Sequence, residues 1–212
     1  MTDLVVFAPH MDDESLGCGG LLALCSDPLV VFGIDASAER PEVELASKEL
    51  GFRFVCLYPS SAEGRLSQMD RPDMVARIEE TLHREMPRQV LIPSPSYHQD
   101  HKAMYEAGLA ATRPMSQRGY LAARVATYEY PGSAWRHDGS ESQLNWYIDI
   151  GSVLERKLAA IEHYTSSQHG RAMVDPDVVR SWARLRGQFV GVEYAEAFTL
   201  LRLVESAQPA LR

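Results

Sequence analysis

Residues 4–20 read LVVFAPHMDDESLGCGG. The first five, Leu4–Ala8, form a short unbroken apolar run, which suits a strand covered on both faces. The polar turn His10–Glu14 follows at once. Ser15–Ser26 then sets Leu16, Gly20, Leu21 and Leu24 on one side of a helix. A buried strand running straight into a helix is how a βαβ unit begins. The same pattern repeats outward. Leu29–Ile34, Arg53–Tyr58, Gln89–Pro93 and Arg124–Tyr130 read as further strands, with helices over Pro41–Leu50, Pro72–Met86 and Ala103–Ala111. Pro41 suits a first helical position and Gly51 follows the last one. Met74, Ile78 and Leu82 recur at helical spacing, Asp70 offers a cap, and Pro87 ends the run. Strand–helix alternation predicts an α/β fold of one domain, a Rossmann-like, mostly parallel sheet with helices on both faces. Further on, Gly132–Asn145 reads as a loop, Trp146–Ile150 and Phe198–Val204 as strands, and Gly151–Tyr164 and Asp175–Arg186 as helices.

Size and charge narrow the function. The chain has 212 residues, a length for one domain, and 45% of them are apolar, too many for a disordered chain. Lys and Arg number 21 against 29 Asp and Glu, a net charge of −8. With no basic stripe, this argues against nucleic acid, whose binding depends on neutralising phosphates. The three cysteines, Cys18, Cys25 and Cys56, form no CxxC pair and fit a reducing cytoplasm better than a disulfide framework. The N-terminus lacks the basic region of a secretory signal. No apolar run approaches the roughly 18–20 residues of a membrane span. These features predict a cytoplasmic protein without a membrane segment.

Ligands of parallel α/β sheets sit beyond the carboxyl ends of the strands. After the first strand comes Pro9-His10-Met11-Asp12-Asp13-Glu14, and after the fourth Ser96-Tyr97-His98-Gln99-Asp100-His101. These are the densest groups of metal-competent side chains in the chain. A hydrolytic zinc site needs three protein ligands and an open position. Two imidazoles and a carboxylate leave a charge of about +1 on the centre, and a bound water then has a pKa near ~7 instead of ~15.7. The expected ligands are His10, Asp13 and His101. Asp12 is expected to take a proton from the water, and His98 to face the substrate as an imidazolium oriented by Asp100. Two histidines and a carboxylate also make the facial triad of non-haem iron oxygenases, and a metal-stabilised sugar-binding module without turnover is a further alternative.

His10-Met11-Asp12-Asp13-Glu14 with Gly17-Cys18-Gly19-Gly20 resembles the AHPDDE…GG signature of the PIG-L/LmbE-like zinc-dependent N-deacetylases. His98-Gln99-Asp100-His101-Lys102-Ala103 is similar to that family's HxDHxA motif. Lys157…Tyr164…Ser167-Gln168 and Tyr194-Ala195-Glu196-Ala197-Phe198 resemble its K…Y.SQ and YAEAF segments. The resemblance runs along most of the chain and implies one LmbE-like domain over 1–212, with the irregular part 132–212 completing the pocket. It implies zinc as cofactor and hydrolysis of an N-acetyl group on N-acetylglucosamine or a related small-molecule amide. Carried over, His10, Asp13 and His101 fall on metal positions, Asp12 on the base, His98 on the second catalytic histidine and Asp100 on its partner. Arg40 lies near a substrate-contacting arginine. Family members often assemble, so a homo-oligomer is compatible with it. Two departures stand out: Met11 replaces the usual proline, and Asp35–Arg40 replaces a T-x-G-E segment that helps to shape the substrate pocket.

Several of these residues also have plainer roles. Asp12 or Asp13 suits a helix cap. Gly17, Gly19 and Gly20 fit close helix–sheet packing better than a phosphate loop. Trp135, Trp146 and Tyr128 suit a core better than a sugar platform, and Cys18 suits a small buried residue. His83, His137, His163 and His169 are expected outside the site.

Overall fold

The computed structural model describes residues 2–35, 40–59, 66–114, 120–134, 143–167 and 175–205. Every residue of β1 (Leu4–Ala8) is buried. Strand alternation explains this: Leu4, Val6 and Ala8 enter one apolar cluster, Val5 and Phe7 the other. β1 pairs in parallel with β2 (Pro28–Ile34) on one side and β4 (Gln89–Pro93) on the other. β3 (Arg53–Tyr58) extends the sheet beyond β2 and β5 (Arg124–Tyr128) beyond β4, both in parallel. β7 (Ala195–Leu203) runs antiparallel to β5, and β6 (Trp146–Asp149) antiparallel to β7. The order is β3-β2-β1-β4-β5-β7-β6, the mostly parallel α/β sheet that the alternation predicts.

Helices cover both faces. α1 (Asp13–Leu24), α2 (Arg40–Leu50) and α5 (Leu154–Ser167) supply Leu22, Val43 and Tyr164 to one cluster. α3 (Arg71–Glu85) and α4 (Gln99–Ala111) supply Ile78 and Met104 to the other. α6 (Pro176–Val190) packs Val179 and Ala183 against Leu158 and Ile161 of α5. Chain order switches between β1 and β4, because β2 and β3 build outward on one side and β4 and β5 on the other. A crevice opens at such a point beyond the strand ends. The turns leaving β1 and β4 border it, and they carry the two polar clusters.

α1 packs close against its neighbours. A Cβ on Gly17 would stand 2.3 Å from the Tyr128 ring, and one on Gly20 2.4 Å from Ile150 Cγ2. Glycine here serves packing, as the sequence suggests. Tyr128 fills the space and donates its hydroxyl to the Phe7 carbonyl (3.0 Å). Asp70 and Asp175 cap α3 and α6 by accepting from Asp73 N (2.9 Å) and Asp177 N (2.8 Å). Asp12 precedes α1 without a side-chain cap bond. α4 begins at Gln99, four residues before its expected start. Its first turn is all polar, so apolar periodicity does not mark it; His98 caps it by accepting from Asp100 N at Nδ1 (3.3 Å). α6 runs past Arg186 to Val190 and stops at Gly191, which takes the left-handed conformation at φ 80. Trp146 and Tyr128 belong to the core, as expected. No helix among the described residues is long and apolar enough to cross a membrane. Cys18, Cys25 and Cys56 form no disulfide.

Candidate metal centre and active site

The turn after β1 is shaped by its own side chains. The His10 amide donates to Asp13 Oδ2 (3.1 Å), which folds the four residues back and brings both side chains to one point. Across the crevice, α4 starts at Gln99, so His101 lies in its first turn and points back toward β1. Asp13 Oδ2 stands 3.5 Å from His10 Nδ1 and 3.2 Å from His101 Nε2. The His98 ring completes the group, with its centroid 4.9 Å from that of His10 and 5.4 Å from that of His101. Donor atoms of the three imidazoles lie within 4.8 Å of one another. Asp13 and His101 are buried, while His10 and His98 remain partly open to solvent. Residues ninety positions apart in sequence thus converge at the switch point.

The donor set fits a small divalent cation. Tetrahedral bonds of about 2.0–2.1 Å place neighbouring donor atoms about 3.3–3.4 Å apart. The contacts of Asp13 Oδ2 with the two imidazoles bracket that spacing. Two borderline nitrogen donors with one carboxylate oxygen form a set that binds first-row divalent metals. Cys18 takes no part: it is buried inside α1, and burial pushes its thiol well above its ordinary range.

Asp100 corrects the sequence expectation. Its carboxylate does not orient His98. Oδ2 meets His10 Nε2 at 3.3 Å, and Oδ1 accepts from the Ser67 amide at 2.9 Å. On a helix, positions i and i+2 do not face each other, so the Asp100 side chain crosses the crevice while only its backbone amide reaches His98. Both contacts are useful. A carboxylate on His10 Nε2 holds the proton there and turns the Nδ1 lone pair toward Asp13 and the donor cluster. The amide on His98 Nδ1 occupies that lone pair, so the neutral ring carries its proton at Nε2.

Charges follow this geometry. Burial disfavours a cationic His10, but its hydrogen bonds to Asp100 and Asp13 outweigh that and raise the ring to about 10. Burial also opposes ionisation of Asp13, yet His101 and His10 hold its carboxyl well below the usual range. The same carboxylates that attract a proton attract a metal cation, which would displace it. Burial, together with His10 and His101, lowers His98 and so disfavours the imidazolium form. Asp12 is half-buried, and its charge is felt at His10 and Tyr130.

Some neighbours were not marked by the sequence as parts of a site. The Tyr130 hydroxyl, two residues beyond β5, stands 3.3 Å from His101 Nδ1. Glu14 is fully buried and accepts from the Asp12 amide (3.1 Å), Ser15 Oγ (2.6 Å) and the Tyr164 hydroxyl (2.8 Å). Burial lifts its carboxyl to about 7 against those hydrogen bonds. Motif position alone hinted at Glu14 and Tyr164; Tyr130 and Ser67 left no local signal. His83 sits apart on α3 with Nδ1 on the Glu79 carbonyl (2.7 Å). Arg40 opens α2, but its side chain lies outside the described residues, as do Trp135, His137, Gln168, His169 and most of the Asp35–Arg40 and Gly132–Asn145 stretches.

The chain matches no protein-family model and no curated protein. Solved structures share its fold over most of their length. A conserved protein of Thermus thermophilus is 27% identical, with a TM-score of 0.76 and 98% of each chain covered. The 4-carboxy-2-hydroxymuconate hydratase of Pseudomonas putida is 20% identical, with a TM-score of 0.74, covering 99% of this chain and 100% of that one. The N,N′-diacetylchitobiose deacetylase of Pyrococcus horikoshii is 20% identical, with a TM-score of 0.72, covering 94% of this chain and 84% of that one. One architecture thus carries a hydratase and a deacetylase, so the reaction must be argued from the site.

Proposed function

We propose that the chain is a zinc-dependent N-deacetylase that hydrolyses the acetyl amide of an amino sugar or amino-sugar conjugate to acetate and a free amine. The observation that carries this reading is the convergence of His10, Asp13 and His101 at the switch point, with Asp12 and His98 beside them. The resemblance of both motifs to the LmbE-like deacetylases and the shared fold of the chitobiose deacetylase support the substrate class.

His10, Asp13 and His101 would hold the ion. It would supply Lewis-acid chemistry, acidifying a water and drawing charge from the amide carbonyl. Asp12, next in sequence to Asp13, takes the proton that the attacking water loses. His98 offers its Nε2–H to the oxygen on which negative charge gathers. As the C–N bond breaks, the proton held by Asp12 passes to the departing nitrogen. One water is consumed and one acetate and one amine leave, so the atoms balance. Asp100 keeps His10 and His98 in the tautomers that these roles need. Arg40 is proposed to meet the substrate, and cysteines without a disulfide fit a reducing compartment such as the cytoplasm.

Acetate release from N-acetylglucosamine and N,N′-diacetylchitobiose tests the reading. With one equivalent of zinc, acetate and primary amine should appear in equal amounts; chelator-stripped protein should give neither. Zinc-loaded protein that releases no acetate from these or other N-acetyl amino sugars, but hydrates 4-carboxy-2-hydroxymuconate, would overturn it.

A further inference from the structure

Lys157 and Tyr164 of α5 make buried polar contacts with α1, and the site reading gives neither a role. On α5, Lys157 and Tyr164 stand seven residues apart, two turns, and so share the face that meets α1. Lys157 Nζ donates to the Leu16 carbonyl (2.9 Å) and pairs with Glu196 (2.6 Å). Tyr164, 1% exposed, donates to Glu14 Oε1. The second oxygen of Glu14 accepts from the amide of Asp12. One carboxylate therefore connects a helix 150 residues away to the backbone of the residue assigned as base.

We propose that Tyr164 is a positioning residue that sets the direction of the Asp12 carboxylate through Glu14, and that this inference rests on the deacetylase reading. Three features carry it. The Glu14 carboxylate is fully buried, so water cannot replace the Tyr164 hydroxyl. Its other hydrogen bonds among the described residues go to Ser15 and Asp12, in the same turn. And the Asp12 amide is the last backbone group before the helix, where a shift turns the side chain without disturbing the strand. A carboxylate that has lost its anchor on α5 swings with its own turn, and catalysis is sensitive to displacements of about 1 Å.

Tyr164→Phe removes one oxygen and keeps the ring that packs against the core. In zinc-loaded protein, kcat for acetate release should fall about tenfold or more, with KM and zinc affinity unchanged. In metal-free protein, hydrogen exchange at the Asp12 amide should quicken about tenfold, while exchange at Val5 and Val6 stays as in the wild type. Glu14→Gln keeps an acceptor for that amide and should exchange more slowly than Glu14→Ala. Wild-type exchange at Asp12 in Tyr164→Phe would overturn the proposal. So would unchanged kcat in that variant when the parent enzyme is active. A parent protein that releases no acetate would instead refute the deacetylase reading, while the exchange data alone would still decide whether Tyr164 holds Asp12.

Discussion

Asp12→Asn protein is expected to bind zinc as the wild type does and to release acetate about 10²–10⁴ times more slowly, the usual contribution of a positioned general base. The substitution keeps the shape of the side chain and leaves the Asp12 amide on Glu14. It removes only the basic oxygen. Asp13→Asn should behave differently. Asp13 Oδ2 is the atom that both His10 Nδ1 and His101 Nε2 approach, so losing its charge weakens the metal itself. Acetate assays at saturating zinc separate the two: excess zinc restores Asp13→Asn in part and Asp12→Asn not at all. Wild-type turnover by Asp12→Asn would remove Asp12 as base.

The second large effect is on stability. Glu196 and Lys157 are both buried and pair at 2.6 Å, and Glu196 also accepts from the amides of Gly20 and Leu21 at 2.7 and 2.8 Å. Lys157 meets the Leu16 carbonyl, so the pair spans one turn of α1. Desolvation absorbs much of what such a pair gains. Breaking it, however, leaves a buried charge without its partner, at a cost of about 3–5 kcal/mol. Glu196→Ala should therefore lower Tm by about 6–20 °C in a protein of this size. Lys157→Met combined with Glu196→Gln should lose less, because no charge is left buried and the amides keep an acceptor. A Glu196→Ala protein melting within about 2 °C of the wild type would show that the pair does not brace α1.

The parallel half of the fold was legible because its physics is local. Leu4–Ala8, Leu29–Ile34 and Gln89–Pro93 are apolar runs of strand length, and the structure covers each on both faces. Their order placed both polar clusters at strand ends, where the switch point joins them. Legibility failed where structure depends on distant partners or on helix geometry. The first turn of α4, Gln99–Lys102, has no apolar residue, so its start was misplaced; with it went the direction of Asp100, which lies across from His10 instead of beside His98. Lys157, Tyr164 and Glu196 could be seen as parts of motifs. Their partners lie 141, 150 and up to 176 residues away, beyond any local periodicity.

Zinc content per chain tests the central claim most directly. After dialysis against limiting zinc, wild-type protein should retain one equivalent. His10→Ala, Asp13→Ala and His101→Ala should each retain far less, with folding verified by circular dichroism. A folded wild type that retains no zinc, or zinc that stays bound after all three donors are replaced singly, would contradict the metal centre on which the proposed chemistry depends.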